Sequence, residues 1–179
     1  MKFSVSTVSF FILLFFVSTV EAQEITKPRP LKVYKSISCD VKSFDFKGLE
    51  TLINVNNDTT YVYNFWATWC APCVKELPVF LKLQETYKEK PLKLILVSLD
   101  FPKSVEKNLL PFLERKKMNV EVILLNDVDA NNWIDKVHKN WSGAIPATLI
   151  VNNNQKKRKF FEQSFDFETL ENEVKLFIN

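Results

Sequence analysis

Cysteine is scarce in this 179-residue chain: there are three, too few for a disulfide scaffold, and the odd number leaves one over once a pair is formed. Histidine is scarcer still. The one present, His138, sums with Cys39, Cys70 and Cys73 to four possible metal ligands, but their spacing lacks the paired knuckles of a zinc site. Charge of one sign is not in excess either, since 24 Lys and Arg stand against 21 Asp and Glu for a formal net charge of +3. Such a mixed-sign balance implies neither nucleic acid nor an acidic membrane as a partner. The basic cluster Lys156 to Lys159 therefore reads as a solvated hairpin strand. Internal repeats and low-complexity segments are also lacking, and one domain accounts for the chain.

What is present begins with an apolar run, Val8 to Val17, preceded by a single Lys2 and followed by STVEA with its small residues. This reads as a secretory signal peptide over residues 1–22, cut after Ala22. The alternative is an uncleaved anchor, although a spanning helix wants ~20 apolar residues and this run is shorter. Under either reading the working domain is expected in a non-cytosolic compartment, periplasmic or otherwise exported, and membrane-anchored if the segment is retained. Residues 23–30 carry two prolines and no periodicity, as an extended lead-in does. The domain itself is expected over residues 31–179.

Residues 31–37 (LKVYKSI) alternate like a half-buried strand, and Asp45 is placed to cap a short helix that Gly48 weakens. TTYVYNFW, residues 59–66, is β-branched and aromatic throughout, so a central strand covered on both faces is expected. Apolar positions then recur at helical spacing from about Ala71 to Lys88, with Pro78 expected to kink the helix. Further along come a strand (PLKLILVSLD), a helix (SVEKNLLPFLERKK), a strand (VEVILL) and a helix (DANNWIDKVHKNW). A hairpin about NNNQ and a capped amphipathic helix end the chain. This order predicts an α/β fold with a mixed sheet flanked by helices.

Cys70 and Cys73 stand where the aromatic strand stops and the helix starts. One helical turn separates them on nearly the same face, so their sulfurs can bond without distorting the sheet. At a helix N-terminus, unpaired N–H groups and the positive dipole end favour a thiolate, and such motifs bring a thiol from about 8.5 into the range ~3.5–7.5. Cys70 is therefore the expected nucleophile, and Cys73, deeper in the helix, the resolving thiol. Two other readings stay open here. A structural disulfide is one, although so short a loop removes little unfolded-state entropy. Metal binding is the other.

The stretch NFWATWCAPC (Asn64 to Cys73), with GAIPATLIV (Gly143 to Val151) some seventy residues on, resembles the thioredoxin superfamily, most closely its exported TlpA/ResA-like thiol-disulfide oxidoreductases. The likeness runs from roughly Leu31 to Asn179. It implies a thioredoxin-like fold and a redox-active Cys70–Cys73 disulfide, with Trp69, Ala71, Pro72, Ile145 and Pro146 binding substrate. It also implies a cis bond before Pro146, against the ordinary reading of a trans proline opening a strand. Trp66 and Trp69 are expected around the dithiol.

Thioredoxins carry a buried Asp six residues before the first cysteine, and Asn64 stands there instead. The ResA-like branch resembles this chain in placing a Glu three residues after the second cysteine, which makes Glu76 the candidate proton acceptor for Cys73. The competing reading is a solvent-facing Glu76 paired with Lys75 or Lys82. Cys39 has three readings, a buried free thiol, an intermolecular bridge or a regulatory partner, of which the first is preferred.

Ala71 and Pro72 supply no imidazole between the cysteines, and Ile145 resembles the reducing members, so the expected activity is reduction of disulfides in envelope proteins. The expected partners are disulfide-containing or dithiol client proteins and, by the resemblance, a membrane-embedded electron donor. No cofactor, metal or nucleic acid is expected, and the chain is expected to act as a monomer. The alternative is a copper-handling protein on the same fold that uses the thiols and His138 as ligands; such proteins usually space their cysteines by three residues, and this chain spaces them by two.

Overall fold

Strand parity sorts the apolar residues of the chain onto two faces. In the computed structural model, which describes residues 27–178, a strand over Thr60–Trp66 turns Val62 and Trp66 to one side and Tyr63 and Phe65 to the other. The strand Leu92–Ser98 divides Leu94 and Leu96 from Ile95 and Val97. The strand Glu121–Leu125 divides Val122 and Leu124 from Ile123 and Leu125. Burial of both sets means that helices must cover both faces.

Numbered in chain order, the strands are β1 (Lys32–Tyr34), β2 (Val41–Phe44), β3 (Thr60–Trp66), β4 (Leu92–Ser98), β5 (Glu121–Leu125), β6 (Ala147–Asn152) and β7 (Lys157–Phe161). The helices are α1 (Phe46–Ile53), α2 (Ala71–Thr86), α3 (Leu110–Arg115), α4 (Ile134–Val137) and α5 (Phe167–Lys175). The seven strands form one mixed sheet in the order β1-β2-β5-β4-β3-β6-β7. Strands β2, β5, β4 and β3 run parallel, while β1, β6 and β7 pair antiparallel with their neighbours. Leu77, Phe80 and Leu83 of α2, Leu113 of α3 and Leu170 and Val174 of α5 cover one face. Phe46, Leu49 and Ile53 of α1 and Val137 of α4 cover the other.

Two helices start where a carboxylate caps them: Asp45 accepts from the Gly48 N–H at 2.9 Å, and Asp166 from the Thr169 N–H at 2.8 Å. Each such cap is worth about 1 kcal/mol. Gly48, read as a weakness, is a fitted residue, because a Cβ there would lie 2.8 Å from Phe44 Cδ1. Helix α2 runs through Pro78 without interruption.

The structure departs from the sequence expectations in four places. The first strand is confined to Lys32–Tyr34, and β2, which the sequence did not announce, follows it and joins the sheet beside β5. The helix expected over residues 104–117 opens as a π-helical turn, Val105–Leu109, before α3. Pro111 has no N–H to give to Lys107, and the Leu110 N–H reaches back to the Val105 carbonyl instead. The helix expected from Asp129 to Trp141 is a 3₁₀ turn, Ala130–Asn132, followed by four-residue α4. Asp129 makes no cap there; its carboxylate accepts from the Asn132 side chain at 2.5 Å. Trp133 and Trp141 pack on each other beneath, with ring centroids 5.5 Å apart.

The signal peptide read over residues 1–22 and the first half of the lead-in, residues 23–26, lie outside the described residues. Among the described residues no helix is long and apolar enough to cross a membrane.

Candidate active site

The dithiol sits at the carboxyl ends of the parallel strands, where an α/β sheet commonly carries its chemistry. Strand β3 ends at Trp66, and Ala67–Trp69 lead into Cys70, the N-cap of α2. Cys70 and Cys73 are joined by a disulfide with Cα atoms 5.3 Å apart. Cys70 Sγ also accepts from the Cys73 N–H at 3.3 Å, so an amide of the first helical turn points at the sulfur that a thiolate would occupy. Exposure separates the two sulfurs: Cys70 is 5% exposed and Cys73 is fully buried. An incoming partner therefore meets Cys70 first.

The antiparallel register of β3 with β6, Phe65 opposite Ala147, brings the start of β6 beside the dithiol. The Ile145–Pro146 peptide is cis. Cys70 Sγ lies 3.8 Å from the Ile145 carbonyl oxygen, an acceptor for the free thiol. Pro146 is buried and Ile145 half-buried, whereas Ala71 and Pro72 are exposed. Trp69 is 61% exposed beside Cys70. Trp66, in contrast, belongs to the core, packed against Phe112 with centroids 5.4 Å apart.

Glu76 does not face solvent. It is 3% exposed, and its carboxylate accepts from Asn64 Nδ2 at 3.0 Å and from the Phe165 N–H at 2.9 Å. This overturns the reading of Glu76 as a surface partner of Lys75 or Lys82; the Lys82 ammonium instead lies 3.9 Å from the Phe167 ring centroid. Burial pushes the Glu76 carboxyl above its ordinary value, against the lowering pull of the two hydrogen bonds. Glu76 is one turn beyond Cys73 on α2, on the same side of the helix. Asn64 also donates to Thr148 Oγ1 at 3.3 Å, which ties β3, β6 and α2 together beneath the dithiol.

A second buried carboxylate was missed by sequence reading. Asp100, 2% exposed just past β4, accepts from the Thr68 N–H at 3.1 Å, the Thr68 hydroxyl at 2.5 Å and the Ser98 hydroxyl at 2.8 Å. It anchors the loop that presents Trp69 and Cys70. The signal available in the sequence was an acidic residue closing an otherwise apolar strand.

The other candidates stay apart from this centre. Cys39 is a free, half-buried thiol whose burial pushes its pKa up. His138 stacks on Phe160 at 4.7 Å between centroids, and its Nδ1 accepts from the Asn140 N–H. Among the described residues no three His, Cys, Asp or Glu side chains stand together as a metal site needs, so the ligand set of the copper-handling alternative is not assembled.

Comparison with known proteins agrees with this geometry. Over 71% of its length, and 68% of the relative's, the chain is 27% identical to the thiol-disulfide oxidoreductase ResA of Geobacillus kaustophilus. It is likewise 27% identical to ResA of Geobacillus thermodenitrificans, over 64% of this chain and 61% of that protein. The chain thus spans only part of the length of these curated relatives. In fold it is similar to a thioredoxin-related protein from Neisseria meningitidis serogroup B, with a TM-score of 0.57 at 23% identity over 66% of this chain and 84% of that one. The Cys70–Cys73 pair, the thioredoxin-like fold and these relatives fit thiol-disulfide exchange. The profile of the AhpC/TSA family matches residues 38–159, a span that holds the Cys70–Cys73 pair and the cis-proline loop, and the chain belongs to that family.

Proposed function

We propose that this chain is an exported thiol-disulfide oxidoreductase that reduces disulfides in envelope proteins. The observation that carries the reading is the asymmetry of the pair: Cys70 caps α2 and keeps a sliver of its side chain exposed, while Cys73 is fully buried behind it. Cys70, as a thiolate, attacks one sulfur of a client disulfide, and the other client sulfur leaves as a thiolate and takes a proton from solvent. Cys73 gives its proton to the Glu76 carboxylate and attacks Cys70 Sγ, which re-forms the Cys70–Cys73 bond and expels the first client sulfur. Two electrons pass to the client. A carboxyl whose pKa is raised by burial is better matched to a thiol than an ordinary one, which supports Glu76 in this role.

Trp69, Ala71 and Pro72 offer an exposed surface around Cys70, and the client backbone pairs briefly at Ile145 and Pro146 as an added strand. No imidazole stands between the cysteines to stabilise the Cys70 thiolate further, which favours the reducing direction. A reductant outside the cytosol must be recharged, and the family resemblance implies a membrane-embedded donor as the partner that does so. The chain works as a monomer, without a cofactor.

The test is to mix the reduced chain with hydroxyethyl disulfide, a small neutral oxidant, and follow loss of the two thiols. Stoichiometric closure of the pair, abolished in Cys70→Ser, supports the reading. Dithiol that stays reduced in excess oxidant refutes it.

A further inference from the structure

A groove opens beside the nucleophile, between the Thr68–Trp69 loop and the π-helical turn with α3, lined by Thr68, Trp69, Lys107, Asn108, Phe112 and Arg115. Its aromatic wall is Trp69, the residue next to Cys70, and its loop wall is fixed by the Asp100 anchor on Thr68. Lys107 and Arg115 are both exposed, and among the described residues neither forms an ion pair.

The carboxylates nearby in sequence are committed elsewhere. Glu106 pairs with Lys32 at 3.5 Å, Glu114 accepts from the Ser36 hydroxyl at 3.1 Å and from the Ile37 N–H at 3.4 Å, and Asp100 is buried against Thr68 and Ser98. The groove lining thus carries two cations and no anion, and Trp69 in the same lining is the residue before Cys70.

Resting on the proposed exchange reaction, we infer that Lys107 and Arg115 read acidic residues flanking the reactive cysteine of a client, so that the preferred substrates are disulfides in acidic sequence context. The client's Asp or Glu enters the groove while its neighbouring residue lies on Trp69. Arg115 offers a planar fork for a carboxylate and Lys107 a mobile point charge. Because both sites are solvent-exposed, the effect falls mainly on encounter and orientation, and it weakens with salt.

The experiment compares two synthetic peptides with one intramolecular disulfide each, alike except that Asp or Lys flanks the cysteines. The second-order rate constant of each is measured with the reduced full chain. At low ionic strength the Asp peptide is expected to react roughly three- to tenfold faster, with the ratio falling as salt is raised. The ratio should approach one in the Lys107→Ala/Arg115→Ala variant and invert in Lys107→Glu/Arg115→Glu. Equal rates for the two peptides with the wild type overturn the inference, and so does a preference that survives in the double alanine variant. Hydroxyethyl disulfide separates the levels of failure. If the wild type oxidises with it yet shows no acidic preference, only the groove assignment falls; if it does not react at all, the exchange reading falls and takes this inference with it.

Discussion

Asn64 Nδ2 donates to Glu76 Oε1 at 3.0 Å, in a pocket where Glu76 is 3% exposed. With an amide at this position, where thioredoxins carry an Asp, Glu76 is the ionisable member of the pair. Asn64 Oδ1, the other end of the amide, is buried without a donor. A flip of the side chain would turn that acceptor toward Glu76, so Asn64 can serve a carboxylate with its N–H and a carboxylic acid with its oxygen.

This makes Glu76→Gln the informative substitution, because a flipped Asn64 can accept from the new amide. Burial raises the Glu76 carboxyl above its ordinary 4.5, so between that value and the folded-state one the native chain binds more protons than the unfolded chain. The stability this supplies is complete below about pH 4.5 and is lost as pH rises through the folded pKa. Urea unfolding across that range should show the Gln variant gaining on the wild type as pH rises. A difference that stays constant with pH would contradict the assignment. In the exchange reaction the same variant should slow closure of the mixed disulfide by on the order of 10²-fold near neutral pH.

The two cysteines should fail differently. Cys73→Ser can form the mixed disulfide but cannot resolve it, so mass spectrometry after incubation with a client peptide disulfide should find peptide bound to Cys70. Cys70→Ser should capture none. Equal capture by both variants would remove the distinction between nucleophile and resolving thiol.

Asp100 fixes the loop on which Cys70 is presented. Asp100→Ala strips the acceptor from the Thr68 N–H and from two hydroxyls, and should lower unfolding free energy by roughly 2 kcal/mol or more. Denaturant titration reads this directly. A loss below half that size would mean that water replaces the carboxylate at little cost.

Cys39 should not take part. Its thiol is half-buried and its pKa is raised, so alkylation of the oxidised native chain should be slow near neutral pH and quicken as pH rises. Cys39→Ala should leave the Cys70–Cys73 couple unchanged. A shifted couple in that variant would show that the third cysteine exchanges with the pair.

Much of this was legible in the sequence because it depends on local pattern. The two-sided apolar runs of β3, β4 and β5, the caps at Asp45 and Asp166, and the dithiol at the head of α2 all declare themselves within a few residues. What stayed hidden depends on distant partners. Strand β2 is only four residues long and is defined by pairing with β1 and β5. The helical pattern after Asp129 yields to the packing of Trp133 and Trp141. The Glu76 site is completed by the Phe165 N–H, 89 residues away, and the loop anchor joins Thr68 to Asp100 across 32. No local window contains such pairs.

The most direct test of the account is the equilibrium reduction potential of the Cys70–Cys73 pair, titrated against glutathione or dithiothreitol in the purified chain. The account predicts a single reversible two-electron couple near the reducing end of the thioredoxin-like range, about −270 mV. A potential near its oxidising end, about −120 mV, would contradict the reductive direction, and the absence of any reversible couple would contradict thiol-disulfide exchange itself.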